Sequence, residues 1–446
     1  MKKLKLSFKI LSCVTPILAF SSTSCELNTQ STDTTKHIGE DTKKKDADKS
    51  LSETKKVKPN ISQSDNTSDI NNNNNNNNNN ANTSKKINDK KETDPKTDTP
   101  GKSKENVEKE LGLDSNDYLV FGSWNILNYG QSSKSKKTIS EVKITGISEV
   151  IADNNLDLVS LQEINYGAAE SVNLIKEKLL SDFKKDYELL KSPDNIYSNK
   201  YESQKEQFAI LYDKNKLTNI PLSIEESIIR NYDDGEFVRP LWVSKFIDKK
   251  NNSIYIVDAH LDSPGAKAKA GEQKAGNING YNWATQGEKE VKEFIASIKL
   301  VSELKKKYPD SVVIFNGDTN IKTKNLNFGE QIIKQFGLES GYQDTNLSPS
   351  ELHNYYASSL GTRYSENKKG FSEAYDKFIV YDPNNRVDQV NKEDYKYDIV
   401  EAFKNKFDKE KYKKLWEKES TGKKFDPFKL VKKVSDHTLV KIKVKV

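Results

Sequence analysis

Cysteine is almost absent from this chain of 446 residues, which contains only Cys13 and Cys25, both near the N-terminus. The remaining sequence therefore offers no disulfide, no thiolate zinc site and no cysteine nucleophile. Arginine is also scarce, because only four of the 72 basic residues are Arg. Since only Arg has a planar guanidinium group that can bind a phosphate through two hydrogen bonds, each of the four is a candidate phosphate-binding residue.

A strong overall charge is lacking as well. The formal net charge is +6, and the first 24 residues carry four Lys and no acidic residue, so the rest of the chain is close to neutral at +2. Overall charge therefore does not indicate a nucleic-acid-binding protein, and any basic binding surface has to be local.

The N-terminus has the pattern of an export signal. Four lysines precede a short apolar run at 10–20, and small residues at 21–24 lead directly to Cys25. The run is too short to span a bilayer comfortably, and the pattern predicts a secretory signal peptide at 1–24. The position of the cysteine resembles a bacterial lipobox, although the usual Leu is missing. That resemblance implies lipidation of Cys25; an ordinary signal peptide with a chance cysteine is the alternative.

The segment 25–106 has no hydrophobic periodicity and is rich in Lys, Asp, Ser, Thr and Asn, with an unbroken run of Asn from 71 to 80. Such a segment cannot bury enough apolar surface to offset the entropy lost on ordering, so it is predicted to be a disordered stalk. An Asn tract expanded by replication slippage is a second explanation, compatible with the first. The predicted domain is 107–446.

In that domain, apolar residues recur with the spacing of strands in some segments and with the spacing of helices in others. Strand-like runs such as 118–121, 208–212 and 254–259 are mixed with helical patterns such as 291–301, and many strands adjoin without a helix between them. The pattern predicts an α/β (α+β) fold in which two sheets pack face to face with helices outside, a four-layer α-β-β-α sandwich.

Acidic, amide and imidazole side chains gather at the ends of the apolar runs. They are Asn125, Glu163, His260, Asp262, Asp318, Asn320, Asp376, Asp436 and His437. Strand ends converge on one rim of a layered sheet fold, where sites form. Carboxylates and amides without cysteine favour a hard cation such as Mg²⁺, and two imidazoles near carboxylates can supply an acid and a base. Taken singly, each residue could equally be a turn, cap or structural residue.

Five motifs make the pattern specific. They are Trp124-Asn125-Ile126, Leu161-Gln162-Glu163, Gly317-Asp318-Thr319-Asn320, Tyr375-Asp376-Lys377 and Ser435-Asp436-His437. Their order resembles that of the endonuclease/exonuclease/phosphatase superfamily, and within it most closely DNase I, over about Asp117 to Val446. With its signal peptide and stalk, the whole chain is similar to membrane nuclease lipoproteins of wall-less bacteria.

The resemblance implies the metal and phosphate ligands. Glu163 would bind the metal together with Asn125 and Asp436, and Asn125 would also contact the substrate. Asp318 and Asn320 would complete the oxygen-rich catalytic floor. Mg²⁺ is the expected cofactor, with Ca²⁺ or Mn²⁺ as alternatives.

The resemblance also implies the proton carriers. His260 would be oriented by Glu206, and His437 by Asp376, while Arg239 would grip a phosphate oxygen. One histidine would take a proton from the attacking water and the other would protonate the leaving oxygen. The sequence leaves open which histidine does which.

One position departs from the DNase I pattern. Asn165 stands where that family has an Arg that contacts the minor groove, which puts a minor-groove preference in doubt. The structural disulfide of the family is absent too.

The expected function is therefore metal-dependent hydrolysis of nucleic-acid phosphodiesters at the cell surface, with DNA as the expected substrate, RNA as a second candidate, and no protein partner implied. A secreted sphingomyelinase, another phosphoesterase of the superfamily, or a non-catalytic surface binding protein are the alternatives. A sphingomyelinase would need an exposed apolar hairpin. The charged segment 382–434, which contains Trp416, is predicted to be a solvated helix. The segment 266–287, with Lys, Tyr281 and Trp283, is either a strand-binding surface or a mobile loop.

The lipid anchor gives a direct test. Because the diacylglycerol would be attached to the sulfur of Cys25, we expect Cys25→Ser to release the protein from membranes into detergent-free supernatant with unchanged specific activity. Fractionation followed by a nuclease assay measures both quantities. A Cys25→Ser protein that still sediments with membranes would rule out the lipoprotein interpretation.

Overall fold

The computed structural model describes residues 117–131, 139–233, 235–266, 272–342, 344–388 and 390–446. The predicted signal peptide, Cys25 and the predicted stalk at 25–106 lie outside these residues. The predicted domain at 107–446 is described from Asp117 onward.

The strands of the described residues are, in chain order, β1 Tyr118–Tyr129, β2 Leu158–Asn165, β3 Tyr187–Lys191, β4 Glu206–Asp213, β5 Leu217–Ile220, β6 Ile228–Tyr232, β7 Gly235–Asp248, β8 Ser253–His260, β9 Lys274–Ile278, β10 Tyr281–Gly287, β11 Val312–Asp318, β12 Glu339–Ser340, β13 Asp376–Tyr381, β14 Val387–Asp388 and β15 Val440–Lys445. The α-helices are α1 Glu141–Asp153, α2 Asn173–Phe183, α3 Ile224–Ser227, α4 Glu288–Lys307, α5 Leu326–Gln335, α6 Pro349–Tyr356, α7 Lys392–Tyr395, α8 Ile399–Glu401, α9 Lys409–Glu419 and α10 Pro427–Val434.

Two large sheets form the centre of the domain. In the described residues the first has the order β14-β15-β1-β2-β4-β3, and the second has the order β12-β13-β11-β8-β7-β5 with β6 paired to β7. The neighbours β1 and β2 run parallel, as do β8 and β11, so each pair ends at one edge of its sheet. The strands β9 and β10 form a separate hairpin.

Three apolar clusters show how the layers stack. One joins the two sheets, with Phe121 and Ile442 from the first sheet and Ile256 and Ile314 from the second. A second lies between the first sheet and helices that include α1, α2, α9 and α10. A third lies between the second sheet and helices α4 and α5. The predicted four-layer α-β-β-α sandwich is therefore confirmed. No helix in the described ranges has the length and apolar character needed to cross a bilayer.

Strand alternation brings the polar strand ends together. Successive side chains of a strand point to opposite faces, so a residue two positions after an inward-facing residue also faces inward. Ile256 and Ile314 belong to the cluster between the sheets, and four positions later on their strands lie His260 and Asp318. These two residues are paired in the register of β8 and β11, and both are buried.

A glycine makes this close packing of β8 and β11 possible. Gly317 has a φ of +135°, and a Cβ at that position would lie 2.0 Å from the carbonyl oxygen of Ala259. Any larger residue would force apart the two strand ends that carry His260 and Asp318. The Gly in this motif is therefore required by backbone contact.

Two segments of the sequence that are rich in charged residues contain regular structure with buried aromatic side chains. The helix that was predicted to be solvated is exposed on one face only, because Tyr412 and Trp416 on α9 are buried in the cluster that contains α1. The segment 266–287 contains the β9–β10 hairpin, and its Trp283 is buried against Phe294. In both segments the aromatic residues supply packing that the many charged neighbours conceal in the sequence.

Candidate active site

The first half of the site is built around His260. Its Nδ1 lies 2.7 Å from Oε2 of Glu206, the first residue of β4. The other carboxylate oxygen of Glu206 lies 2.9 Å from Nε of Arg239. Arg239 also donates to the carbonyl oxygens of His260 and Leu261, at 3.4 and 3.1 Å. The predicted orientation of His260 by Glu206 therefore agrees with the geometry, and Arg239 holds both partners.

The second half is built around His437 in the same way. Its Nδ1 lies 2.7 Å from Oδ2 of Asp376, which is fully buried. The backbone of His437 is fixed by Ser435 Oγ, which accepts from its amide at 2.9 Å, and by Trp124 Nε1, which donates to its carbonyl at 2.9 Å. Ser435 Oγ in turn donates to the carbonyl oxygen of Asn125 at 2.6 Å. These bonds tie the last motif of the chain to the first.

The two halves meet at Asp318. Its Oδ2 lies 3.7 Å from Nε2 of His260 and 3.5 Å from Nε2 of His437. Asn125, from the opposite sheet, donates its amide to the same oxygen at 3.2 Å and to Oε1 of Glu163 at 2.9 Å. The two imidazoles thus direct their second nitrogen towards one carboxylate.

Asn320 lies beside this point. Its backbone amide donates to Oδ1 of Asp318 at 3.0 Å, and its side-chain amide donates to the carbonyl oxygen of Leu261 at 3.1 Å. Asn320 therefore positions Asp318 and the end of β8. Asn165, the residue that departs from the DNase I pattern, donates to the carbonyl oxygens of Asn128 and Gly130 and so holds the loop after β1.

The predicted metal ligands Glu163 and Asp436 supply carboxylate oxygens, one of which lacks a hydrogen-bond partner within the described residues. Glu163 has a φ of +58°, which turns it out of the regular course of β2, and its Oε1 accepts from Asn125. Oδ1 of Asp436 is buried and has no hydrogen-bond partner within the described residues. A buried carboxylate oxygen without a partner is costly unless a cation or water meets it. Carboxylate and amide oxygens are the donors that a hard divalent cation prefers, but no group of three or more His, Cys, Asp or Glu side chains among the described residues could hold a metal ion.

Charge and burial shift the pKa values of the site in opposite directions. Burial raises the pKa of Glu206, but the charges of His260 and Arg239 outweigh burial and lower it to about 2. Burial lowers the pKa of His437, but Asp376 and Asp318 outweigh it and raise the pKa to about 10. The pKa of His260 is also raised, because the carboxylate of Glu206 outweighs burial and the charge of Arg239. The carboxylates around the two imidazoles therefore favour their protonated forms.

Lys143 is a site residue that the sequence reasoning missed. It lies on α1, is 8% exposed, and donates through Nζ to the carbonyl oxygen of Leu127. Burial lowers its pKa to about 8, against the carboxylates of Glu163 and Asp436, which raise it. A signal was available, because Lys143 precedes Ile147 by four residues and so shares the buried face of the helix.

Comparisons with known proteins give weak similarities. No protein-family model matches the chain. An uncharacterized protein of Mycoplasma pneumoniae is 32% identical over 145 residues, which are 32% of this chain and 26% of that protein. The match thus spans about a quarter of that relative.

Solved structures align over most of the chain at low identity. An endonuclease/exonuclease/phosphatase family protein from Bacteroides thetaiotaomicron has a TM-score of 0.43 and 15% identity, over 73% of this chain and 97% of that one. Danio rerio TDP2 complexed with a single-strand DNA product has a TM-score of 0.41 and 14% identity, over 75% of this chain and 100% of that one. Identities this low leave the activity to be inferred from the site.

The His437–Asp376 pair predicts a pH-dependent stability. A folded pKa of about 10 lies above the ordinary value of 6.5, so the pair stabilises the fold fully below pH 6.5 and loses this contribution as pH rises to about 10. Because one unit of pKa shift corresponds to about 1.4 kcal/mol, we expect the difference in unfolding free energy between wild type and His437→Gln to fall by more than that over this range.

Urea denaturation in EDTA from pH 6.5 to 10 measures this difference. His353→Gln is the matched control, because burial lowers the pKa of His353 and its contribution should be constant above pH 7. A difference for His437→Gln that is also constant from pH 6.5 to 10 would contradict the ion pair.

Proposed function

We propose that this chain is a metal-dependent nuclease of the endonuclease/exonuclease/phosphatase superfamily, held by a lipid on Cys25 at the outer face of the cell membrane. The observation that carries the proposal is the pair of buried imidazoles. Each has its Nδ1 at 2.7 Å from a carboxylate, and both have their Nε2 within 3.7 Å of one oxygen of Asp318. Two such nitrogens can serve the two proton transfers of phosphodiester hydrolysis.

The two imidazoles and the two carboxylates have separate roles in the proposed reaction. One imidazole takes a proton from water as the water oxygen bonds to phosphorus. The other gives a proton to the leaving oxygen as the second phosphorus–oxygen bond breaks. Glu206 and Asp376 hold the two rings in place and stabilise their charged forms. Each proton transfer contributes typically 10²–10⁴-fold to the rate.

Hydrogen-bond donors and the divalent cation would stabilise the negative charge on the phosphate. We expect Arg239 and Asn125, whose side chains pair with Glu206 and Asp318 when no substrate is bound, to donate to non-bridging oxygens of the phosphate instead. Glu163, Asn125 and Asp436 would hold the divalent cation, with Mg²⁺ expected. When bound, this cation polarises the phosphate and stabilises the charge that develops in the transition state.

Nucleic acid is favoured as substrate by a basic and aromatic surface beside Glu206. The preceding residue, Lys205, places its Nζ 4.4 Å from the ring centre of Tyr166 and 5.3 Å from that of Tyr197. The two rings meet edge to face at 5.7 Å and are partly exposed. Rings and ammonium groups next to a hydrolytic site suit the bases and phosphates of a nucleic-acid strand.

The sphingomyelinase alternative has less support. It needs an apolar hairpin that enters a membrane, and Trp283 of the β9–β10 hairpin is buried. In the described ranges, the large apolar side chains that are well exposed are Leu174, Leu180 and Ile224, which lie on α2 and α3. The surface beside the site therefore fits a polyanion better than a lipid bilayer.

A substrate panel tests the proposal. Purified protein is incubated with supercoiled plasmid, RNA and sphingomyelin, with Mg²⁺ or with EDTA. We expect cleavage of nucleic acid with Mg²⁺ and none in EDTA. Glu163→Gln should lower kcat roughly 100-fold or more, because loss of even an outer-shell metal partner commonly costs 10–100-fold.

Glu170→Gln is the control for this variant, because it makes the same chemical change at an exposed residue paired with Lys191. Hydrolysis of sphingomyelin without nuclease activity would favour the sphingomyelinase alternative. Full nuclease activity in EDTA would contradict the metal-dependent mechanism, and inactivity on all three substrates would favour a binding protein.

A further inference from the structure

Arg363 differs from the other three arginines of the chain, all of which lie within the described residues. Arg239 and Arg386 form ion pairs with carboxylates, and Arg230 donates to two backbone carbonyl oxygens. Arg363 is exposed and forms no hydrogen bond or ion pair within the described residues. Because a guanidinium group can bind a phosphate through two hydrogen bonds, this side chain is available for an anionic ligand.

Arg363 belongs to the segment 361–370, which we call the arginine loop. This loop starts beside the candidate active site, because the amide of Leu360 donates to the carbonyl oxygen of Asp436 at 2.6 Å. Arg363 is three residues from Leu360, so at most roughly 11 Å separates their backbones. At roughly 3.4 Å per nucleotide of a DNA strand, this distance corresponds to about three nucleotides.

Contacts with α10 hold the arginine loop in place. Lys432 of α10 donates through Nζ to the carbonyl oxygen of Gly361 at 3.0 Å. The ring of Tyr364 packs against that of Phe428 on α10, with 5.9 Å between the ring centres. The residues on both sides of Arg363 are thus fixed, so its backbone keeps a constant distance from the site.

The surface around Arg363 is basic. Five cationic side chains lie on the loop or against it, namely Arg363, Lys368, Lys369, Lys404 and Lys432. Within the described residues none of the five forms a salt bridge. The loop itself has three of these cations and one acidic residue, Glu366, and so carries a net charge of 3 − 1 = +2. This is a local basic surface on a chain whose overall charge is weak.

The positive charges of this surface also act on one another. Burial and the charge of Lys369 lower the pKa of Lys396 to about 8, against the carboxylate of Asp398, which raises it. Burial lowers the pKa of His353, and the charges of Lys368 and Lys396 lower it too. A bound polyanion relieves such repulsion, which favours an anionic partner on this surface.

We propose that the arginine loop binds phosphates of the nucleic-acid strand on the His437 side of the candidate active site. The proposal rests on the proposed nuclease function and adds the path of the strand. The surface of Lys205, Tyr166 and Tyr197 lies on the other side of the site, beside Glu206. A strand that occupies both surfaces extends in both directions from the cleaved bond, so cleavage falls inside the strand.

DNA binding in EDTA tests the proposal without catalysis. Full-length proteins that carry Cys25→Ser, and so lack the predicted lipid, are titrated into a fluorescent single strand at several salt concentrations, with detection by anisotropy. One phosphate contact contributes roughly 0.7 to the slope of log affinity against log salt, and roughly fivefold to the affinity at 0.1 M salt. We expect Arg363→Gln to lose these amounts, and a triple variant that adds Lys368→Gln and Lys369→Gln to lose about three times the slope. Arg363→Lys keeps the charge and should keep the wild-type slope.

Lys306→Gln is the control for charge removal. It removes an exposed ammonium group at the C-terminal end of α4, a helix of 20 residues whose first turn bonds the loop after His260. Such a helix is roughly 30 Å long, so this variant should bind DNA as wild type does.

Two further measurements separate strand binding from other roles of the loop. Bis(p-nitrophenyl) phosphate is a phosphodiester too small to reach Arg363, so with Mg²⁺ its kcat/KM should be unchanged in Arg363→Gln while kcat/KM for DNA falls. Sedimentation with phosphatidylglycerol vesicles measures binding to anionic lipid headgroups, which the same charges could attract.

Wild-type affinity and salt slope in the triple variant, with DNA cleavage intact, would overturn the proposal alone. Equal losses on the small diester and on DNA would assign the loop to the support of His437 and overturn it too. Loss of vesicle binding with unchanged DNA binding would assign the surface to the membrane. A wild type that neither binds nor cleaves DNA would overturn both this proposal and the proposed function.

Discussion

The hydrogen bond between Asn125 and Asp318 joins the two sheets at the candidate active site. Asn125 lies on β1 of the first sheet and Asp318 on β11 of the second, and the amide meets the carboxylate at 3.2 Å. Both histidines face the same oxygen of Asp318. If the two sheets slid past each other, the imidazoles would no longer share one target. The sandwich therefore supplies the geometry that two-sided proton transfer requires.

A buried polar layer lies between the sheets directly behind the site. It consists of Ser123, Gln162, Asp258 and Asn316, all at most 2% exposed. Gln162 donates to Ser123 at 3.2 Å and to Asn316 at 3.4 Å, and burial raises the pKa of Asp258 to about 7. On β1, β8 and β11 each of these residues precedes a site residue by two positions. Because Gln162 bonds Ser123 of its own sheet and Asn316 of the other sheet, this layer favours a single alignment of the two sheets.

The sequence predicted the site best where strand alternation determines it. Asp318 and His260 end apolar runs, so their convergence follows from the period of a strand. Lys143 was missed and Trp416 was misjudged because the burial of both depends on how their helices pack against the rest of the domain. A lysine on a buried helix face and a tryptophan among charges look solvated until the helix is placed against its neighbours. The hydrogen bond from Lys143 to the carbonyl oxygen of Leu127 has no sequence signature, because the two residues belong to separate elements.

The central claim is that His260 and His437 serve one reaction. The most direct test measures kcat for His260→Ala, His437→Ala and the double variant on one DNA substrate, with folding checked for each. We expect each single change to lower kcat by roughly two to four orders of magnitude, and the double variant to be about as slow as the slower single variant, since either loss disables the same transition state. Near-normal kcat in folded His437→Ala, or losses that multiply in the double variant, would contradict it.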